Sequence, residues 1–241
     1  MLTVIGIGPG SESMMTQEAI AAIREAEIIV GYKTYTHLVK PLTGDKQVIK
    51  TGMCKEIERC QTAIDLALAG HNVALISSGD AGIYGMAGLV LELVTQQKLE
   101  LEVRLVAGIT ASIAAASLLG APLMHDFCHI SLSDLMTPWA VIEKRIVAAA
   151  QADFVICFYN PRSRGREGHL ARAFELMQPW KRPETPVGVV KAAGRKKQEK
   201  WITTLGEMDF EPVDMTSLVI VGNQATYCRD GLMITPRGYS L

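Results

Sequence analysis

The run Val73-Ala74-Leu75-Ile76 leads straight into Ser77-Ser78-Gly79-Asp80-Ala81-Gly82-Ile83-Tyr84-Gly85, and an apolar pattern of helical character opens near Met86. Four consecutive apolar residues between turn signals predict a buried strand. A strand, a tight turn and a helix in that order predict an α/β fold. Gly79, Gly82 and Gly85 lack the Cβ atoms that would keep a ligand away from the main chain. In open α/β sheets ligands sit at the carboxyl ends of strands, where this turn falls. The bland alternative is an ordinary turn with a capping glycine and a helix-capping aspartate.

The same grammar recurs. Leu2–Ile5 is a predicted strand running into Gly6-Ile7-Gly8-Pro9-Gly10, and Thr16 is a candidate N-cap for a helix bearing Ala19, Ile20, Ile23 and Ala26. Ile28–Val30 is a short strand, and Ile57, Cys60, Ile64, Ala67 and Leu68 mark one face of a helix closed by Gly70. Val103–Val106 ends in Ala107-Gly108-Ile109-Thr110-Ala111-Ser112, which opens onto an alanine-rich helix. The pattern restarts near Leu119–Pro122, so two α/β domains are expected, 1–120 and 121–241, with mainly parallel sheets and a cleft between them. In the second, strands are expected at His129–Leu132, Phe154–Phe158 and Pro186–Val190, with helices through Trp139–Ala149 and Leu170–Met177. Leu218–Val221 and Leu232–Thr235 read as a possible antiparallel pair. No residue-level repeat relates the halves.

Several function classes are disfavoured. The Gly6–Gly10 turn invites a dinucleotide reading, but the second strand ends in Val30-Gly31-Tyr32-Lys33, without the acidic residue that holds ribose hydroxyls. Pro9 also removes a backbone donor. Neither a phosphate-binding Gly-x-x-x-x-Gly-Lys-Ser/Thr loop nor a Gly-x-Ser-x-Gly elbow occurs. No apolar run reaches the ~18 residues of a membrane helix, and the N-terminus lacks the basic region of a signal peptide. Cys54, Cys60, Cys128, Cys157 and Cys228 are scattered, so reduced thiols, a cytoplasmic location and no protein-bound metal or iron–sulfur cluster are expected.

Charge is informative locally. With a net charge of −1, the chain carries no global field for nucleic acid or membrane. Yet Arg162, Arg164, Arg166, His169 and Arg172 follow one strand end, and Lys191, Arg195, Lys196, Lys197 and Lys200 follow the next. Either cluster alone reads equally well as solvated surface. Together, at neighbouring strand ends, they favour a polyanionic ligand, with Arg162, Arg164, Arg166, Lys191, Arg195 and Lys196 as candidate contacts.

Gly6-Ile7-Gly8-Pro9-Gly10, Ser78-Gly79-Asp80-Ala81-Gly82-Ile83-Tyr84 and Gly108-Ile109-Thr110-Ala111 resemble the tetrapyrrole (corrin/porphyrin) methylase family. Phe158-Tyr159-Asn160-Pro161 and Leu218-Val219-Ile220-Val221-Gly222-Asn223 are similar to its precorrin-3B/cobalt-factor III C(17)-methyltransferase branch. The resemblance implies a homodimer of two-domain α/β chains that binds S-adenosylmethionine, methylates carbon 17 of a polycarboxylate macrocycle and contracts its ring, in cobalamin biosynthesis. It implies donor contacts from Pro9, Gly79, Asp80, Ala81, Ile83, Tyr84, Thr110, Ala111, Tyr159 and Gly188. Asp80 and Tyr84 are also the candidates by position for proton transfer. The rivals are diphthine synthase and ribosomal RNA 2′-O-methyltransferase, which share the fold, and, more distantly, a nicotinamide oxidoreductase or a tetrapyrrole carrier.

Overall fold

The computed structural model describes residues 1–163 and 165–240, and the chain divides into two compact units between Ala111 and Ser112. The first unit runs β1 (Leu2–Gly6), α1 (Gln17–Glu25), β2 (Ile28–Tyr32), α2 (Lys33–Leu38), α3 (Lys40–Thr43), β3 (Gln47–Thr51), α4 (Glu56–Leu68), β4 (Val73–Ser77), α5 (Ala87–Gln96) and β5 (Val103–Val106). Its five strands form a wholly parallel sheet in the order β3-β2-β4-β1-β5.

Side chains of a strand alternate between faces, and both faces of this sheet are filled. Leu2, Val4, Val73 and Leu75 pack with Cys60, Ala63, Ile64 and Val90 of α4 and α5. Ile5, Ala74 and Ile76 pack on the other side with Ala19, Ala22 and Ile23 of α1. The Thr16 hydroxyl caps α1 by accepting the Ala19 N–H at 3.1 Å, as its position implies.

The second unit contains nearly all of α6 (Ala111–Leu119), then β6 (Gly120–Ala121), β7 (Phe127–Ser131), α7 (Trp139–Gln151), β8 (Val155–Tyr159), α8 (His169–Met177), β9 (Pro186–Lys191), β10 (Glu199–Thr204), β11 (Ser217–Val221), β12 (Tyr227–Arg229) and β13 (Leu232–Ile234). Here the α/β class holds, but the sheet departs from the parallel expectation. Its order is β10-β9-β11-β8-β7, and only β7 and β8 pair in parallel. The seven residues from Ala192 to Gln198 turn β9 directly into β10, too short a connection for a parallel crossover. Strand β11 then inserts antiparallel between β9 and β8. The suggested pairing of Leu218–Val221 with Leu232–Thr235 does not form. Strand β13 instead pairs with β12 and β6 in a separate small sheet. Ile156, Phe158, Val187, Val189, Val219 and Val221 bury one face of the larger sheet against α7 and α8.

Candidate functional site

Three turns leave the carboxyl ends of β4, β1 and β5, which are adjacent strands. They are knitted together by main-chain bonds. Gly8 and Gly79 exchange N–H···O bonds of 3.0 and 2.8 Å, and the Ile7 N–H donates to the Ser77 carbonyl at 2.9 Å. Asp80 completes the frame: one carboxylate oxygen accepts the Gly82 N–H at 2.8 Å and the other accepts the Gly108 N–H at 2.9 Å. Both oxygens are thus engaged, one bracing the Gly79–Gly85 turn itself and the other joining it to the turn at Gly108. A carboxylate so used is a strut, which counts against Asp80 as a proton-transfer group.

Gly79 has φ +67°, a conformation that side-chain-bearing residues adopt at a cost. A Cβ there would stand 3.7 Å from Thr110 Cα and 3.8 Å from the Ala111 nitrogen, so the missing side chain leaves a hollow facing the third turn. Pro9, Ala81 and Thr110 are buried, Ile83 is half-buried, and Tyr84 is exposed with φ +52°. The structure therefore brings Pro9, Gly79, Asp80, Ala81, Ile83, Tyr84, Thr110 and Ala111 to one edge of one sheet. The glycines at 6 and 108 have a different purpose, because a Cβ on either would collide with the other's backbone and with Gly79.

In the second unit, Tyr159 ends β8, and its hydroxyl accepts the Ser112 N–H from the first turn of α6 at 3.0 Å. Its ring lies 5.1 Å from that of His129 on β7. Gly188 lies mid-strand in β9, and a Cβ there would meet Leu119 Cδ1 at 2.5 Å, so α6 covers it.

The basic clusters do follow the carboxyl ends of β8 and β9, which point the same way because β11 is antiparallel to both. Their side chains are largely engaged within the unit, however. Arg162 donates to the carbonyls of Phe210 and Glu211 at 3.0 and 3.1 Å and pairs with the Glu211 carboxylate at 3.4 Å. Arg166 donates to Ser163 Oγ at 2.8 Å and faces Asp134, which also takes His169 Nε2 at 3.1 Å. Lys191 pairs with Asp214 at 2.9 Å. Arg195 is half-buried, Lys196 is exposed on the β9–β10 turn, and Arg164 lies outside the described residues. Spacing in sequence marks charge but not the acceptors that neutralise it, and Asp134, Asp214 and Glu211 come from other segments.

The tetrapyrrole (corrin/porphyrin) methylase family model matches residues 1–209. The chain belongs to this family. It is 82% identical, over the full length of both chains, to a Salmonella typhimurium protein named "Probable cobalt-factor III C(17)-methyltransferase". It is 50% identical to the "Cobalt-factor III methyltransferase" of Priestia megaterium, spanning 99% of this chain and 45% of that one. The crystal structure of the methyltransferase CobJ superposes with a TM-score of 0.93 at 37% identity, covering 98% of this chain and 99% of the other. This tetrapyrrole methylase is accordingly an enzyme of a methyltransferase family.

Two groups of this methylase, one half-buried and one buried, were not singled out by the sequence reading. His129 lacks any neighbouring motif, and burial lowers its imidazole pKa from the usual 6.5. The unfolded chain therefore takes up the proton first on acidification, so the stability held above about pH 6.5 is lost as pH falls below it. Urea midpoints should drop between about pH 7 and pH 5, and less steeply in His129→Gln. Equal slopes would exclude this group. Arg59, the other, sits on the buried face of the amphipathic helix α4 and is only 4% exposed. Among the described residues no cluster of His, Cys, Asp or Glu could hold a metal, and no helix is long and apolar enough to cross a membrane.

The Asp80 strut has a direct test. Asp80→Ala leaves the Gly82 and Gly108 amides without their acceptor and should cost about 2 kcal/mol, given what bonds to charged groups contribute. Asp80→Asn keeps one carbonyl oxygen and should recover only a fraction. Urea unfolding reads both; wild-type midpoints in both variants would refute the strut.

Proposed function

We propose that this enzyme transfers a methyl group from S-adenosylmethionine to carbon 17 of a cobalt-factor III or precorrin-3B type tetrapyrrole, with contraction of the macrocycle, in cobalamin biosynthesis. The observation that carries the reading is the 82% identity, end to end, with the Salmonella protein of that name. The family match and the fold shared with CobJ support it.

The donor would lie against the three turns. The hollow at Gly79 beside Thr110 and Ala111, with Pro9, Asp80, Ala81, Ile83 and Tyr84 around it, suits a ligand held by shape and main-chain contacts. Tyr159 and Gly188 are proposed contacts from the second unit. Because Leu119 covers Gly188, that glycine would act by letting α6 pack close to β9. When bound, S-adenosylmethionine supplies an electrophilic methyl group on a sulfonium. The chain's task is to align an acceptor carbon with it, and placement alone can lower the barrier by ~7–11 kcal/mol. The strut and the paired Gly8–Gly79 bonds supply the rigidity such alignment needs. With Asp80 occupied, Tyr84 is the remaining candidate for a proton-transfer role in contraction.

The acceptor's carboxylates would meet the strand-end cations, with Lys196 exposed on the β9–β10 turn and Arg195 beside it. Arg162, Arg166 and Lys191 would have to exchange their present partners to contribute. Arg164 belongs to the same proposal by sequence. A homodimer and a cytoplasmic location complete the reading.

The test is incubation with methyl-labelled S-adenosylmethionine and cobalt-factor III, followed by mass spectrometry of the pigment. One labelled methyl on a contracted macrocycle is expected. Label on protein or RNA instead would reject the reading.

A further inference from the structure

Arg59 sits in the first turn of α4, yet its side chain points back to the carboxyl edge of the parallel sheet. Nε donates to Thr51 Oγ1 at 2.6 Å, at the end of β3. Nη2 donates to the Gly52 carbonyl at 2.8 Å, and Nη1 to the Met86 sulfur at 3.6 Å, where the Gly79–Gly85 turn enters α5. The guanidinium carbon is 5.8 Å from the ring centre of Tyr32, the last residue of β2. None of these partners is a carboxylate, and among the described residues no ion pair reaches Arg59.

Keeping a charge buried costs several kcal/mol unless an opposite charge compensates. A hydroxyl, a carbonyl, a thioether and an aromatic face offset that only incompletely. A structural tie between β3 and α4 would need donors but no charge. The weakest partner is also the most easily displaced, since a thioether is a poor acceptor on a flexible, unbranched side chain.

From this arrangement we propose that Arg59 is the receptor for a ligand carboxylate, which displaces the Met86 sulfur from Nη1 and supplies the missing negative charge. The inference rests on the proposed reaction for its ligands, both of which carry such groups: the macrocycle through its acetate and propionate arms, the methyl donor through its amino-acid end. A carboxylate is a stronger acceptor than a thioether, and the planar fork of arginine suits it better than a lysine ammonium would.

The test is a pair of titrations, S-adenosylhomocysteine by calorimetry and cobalt-factor III by its visible absorption, on wild type, Arg59→Gln and Arg59→Lys. Bonds to charged groups correspond to about a 10- to 100-fold loss of affinity. That loss is expected for one ligand in Arg59→Gln, with the other bound as in wild type, and a smaller loss for the same ligand in Arg59→Lys. The affected ligand identifies the source of the carboxylate. Unchanged affinity for both ligands would overturn the proposal. So would equal loss for both with a lowered melting temperature, which marks a structural tie. If wild type fails to methylate the tetrapyrrole while Arg59→Gln still weakens S-adenosylhomocysteine, the reaction is wrong and the carboxylate receptor stands.

Discussion

Gly108→Ala should destabilise the first unit by about 3 kcal/mol or more and abolish tight S-adenosylhomocysteine binding, because its methyl group has nowhere to go. A Cβ at 108 would sit 2.6 Å from the carbonyl carbon and oxygen of Gly6 and closer still to the Gly79 carbonyl oxygen. All three obstacles are backbone, so no side-chain rotation relieves them. The backbone is itself fixed by the Gly8–Gly79 bonds and by the Gly108 N–H bond to Asp80. Inserting one methyl into packed structure costs ~1–3 kcal/mol, and more where the main chain must shift. Gly88→Ala is the control. It is the second residue of α5, and an added Cβ meets nothing within 4 Å beyond its own helix, so it should be neutral or stabilise by a few tenths of a kcal/mol through helix propensity. Urea unfolding and calorimetric titration read both substitutions. A Gly108→Ala variant with wild-type stability and affinity would mean that the turns are not packed as described.

Lys181→Ala should cost the second unit about 3 kcal/mol, from the lost burial of its stem and the carbonyls left without their charged donor. The Lys181 side chain is wholly buried, and its ammonium donates to the carbonyls of Gly222 and Phe154 at 2.9 and 3.0 Å and pairs with Asp153 at 3.3 Å. Burial lowers its pKa, while Asp153 opposes that shift. Asp153 also accepts the Gln224 N–H with both oxygens at 3.1 Å, so the lysine ties the chain before β8 to the loop after β11. Lys181→Met keeps the aliphatic stem and loses only the ammonium, so it should fall between wild type and alanine. The gap between Met and Ala measures burial of the stem, and the gap between wild type and Met measures the polar network. Should both variants unfold at the wild-type denaturant concentration, the network would carry no net stability.

Local order was written in the sequence wherever one stretch sufficed to cause it. The strands of the first unit announce themselves as short apolar runs, and the Thr16 cap follows from a hydroxyl one residue before an amphipathic helix. The glycine-rich turns were visible as turns. Their packing was not, since Gly6, Gly79 and Gly108 constrain one another only after three strands separated in sequence lie side by side. Strand β3 passed unread because Gln47-Val48-Ile49-Lys50-Thr51 is half polar and lies at the sheet edge, where burial no longer enforces a continuous apolar run.

What the chain determined alone is therefore its α/β character, its caps, and the turns that meet at one sheet edge. These depend on residues near in sequence, and apolar period and missing Cβ atoms are local facts. What tertiary structure decided is pairing at a distance: an antiparallel β11 between β8 and β9, Asp80 spent as a strut, Arg162 and Lys191 neutralised, Arg59 and Lys181 buried with their charge. The physical reason is that hydrogen-bond acceptors and counter-charges act over a few ångströms of space. Only the fold brings such partners that close.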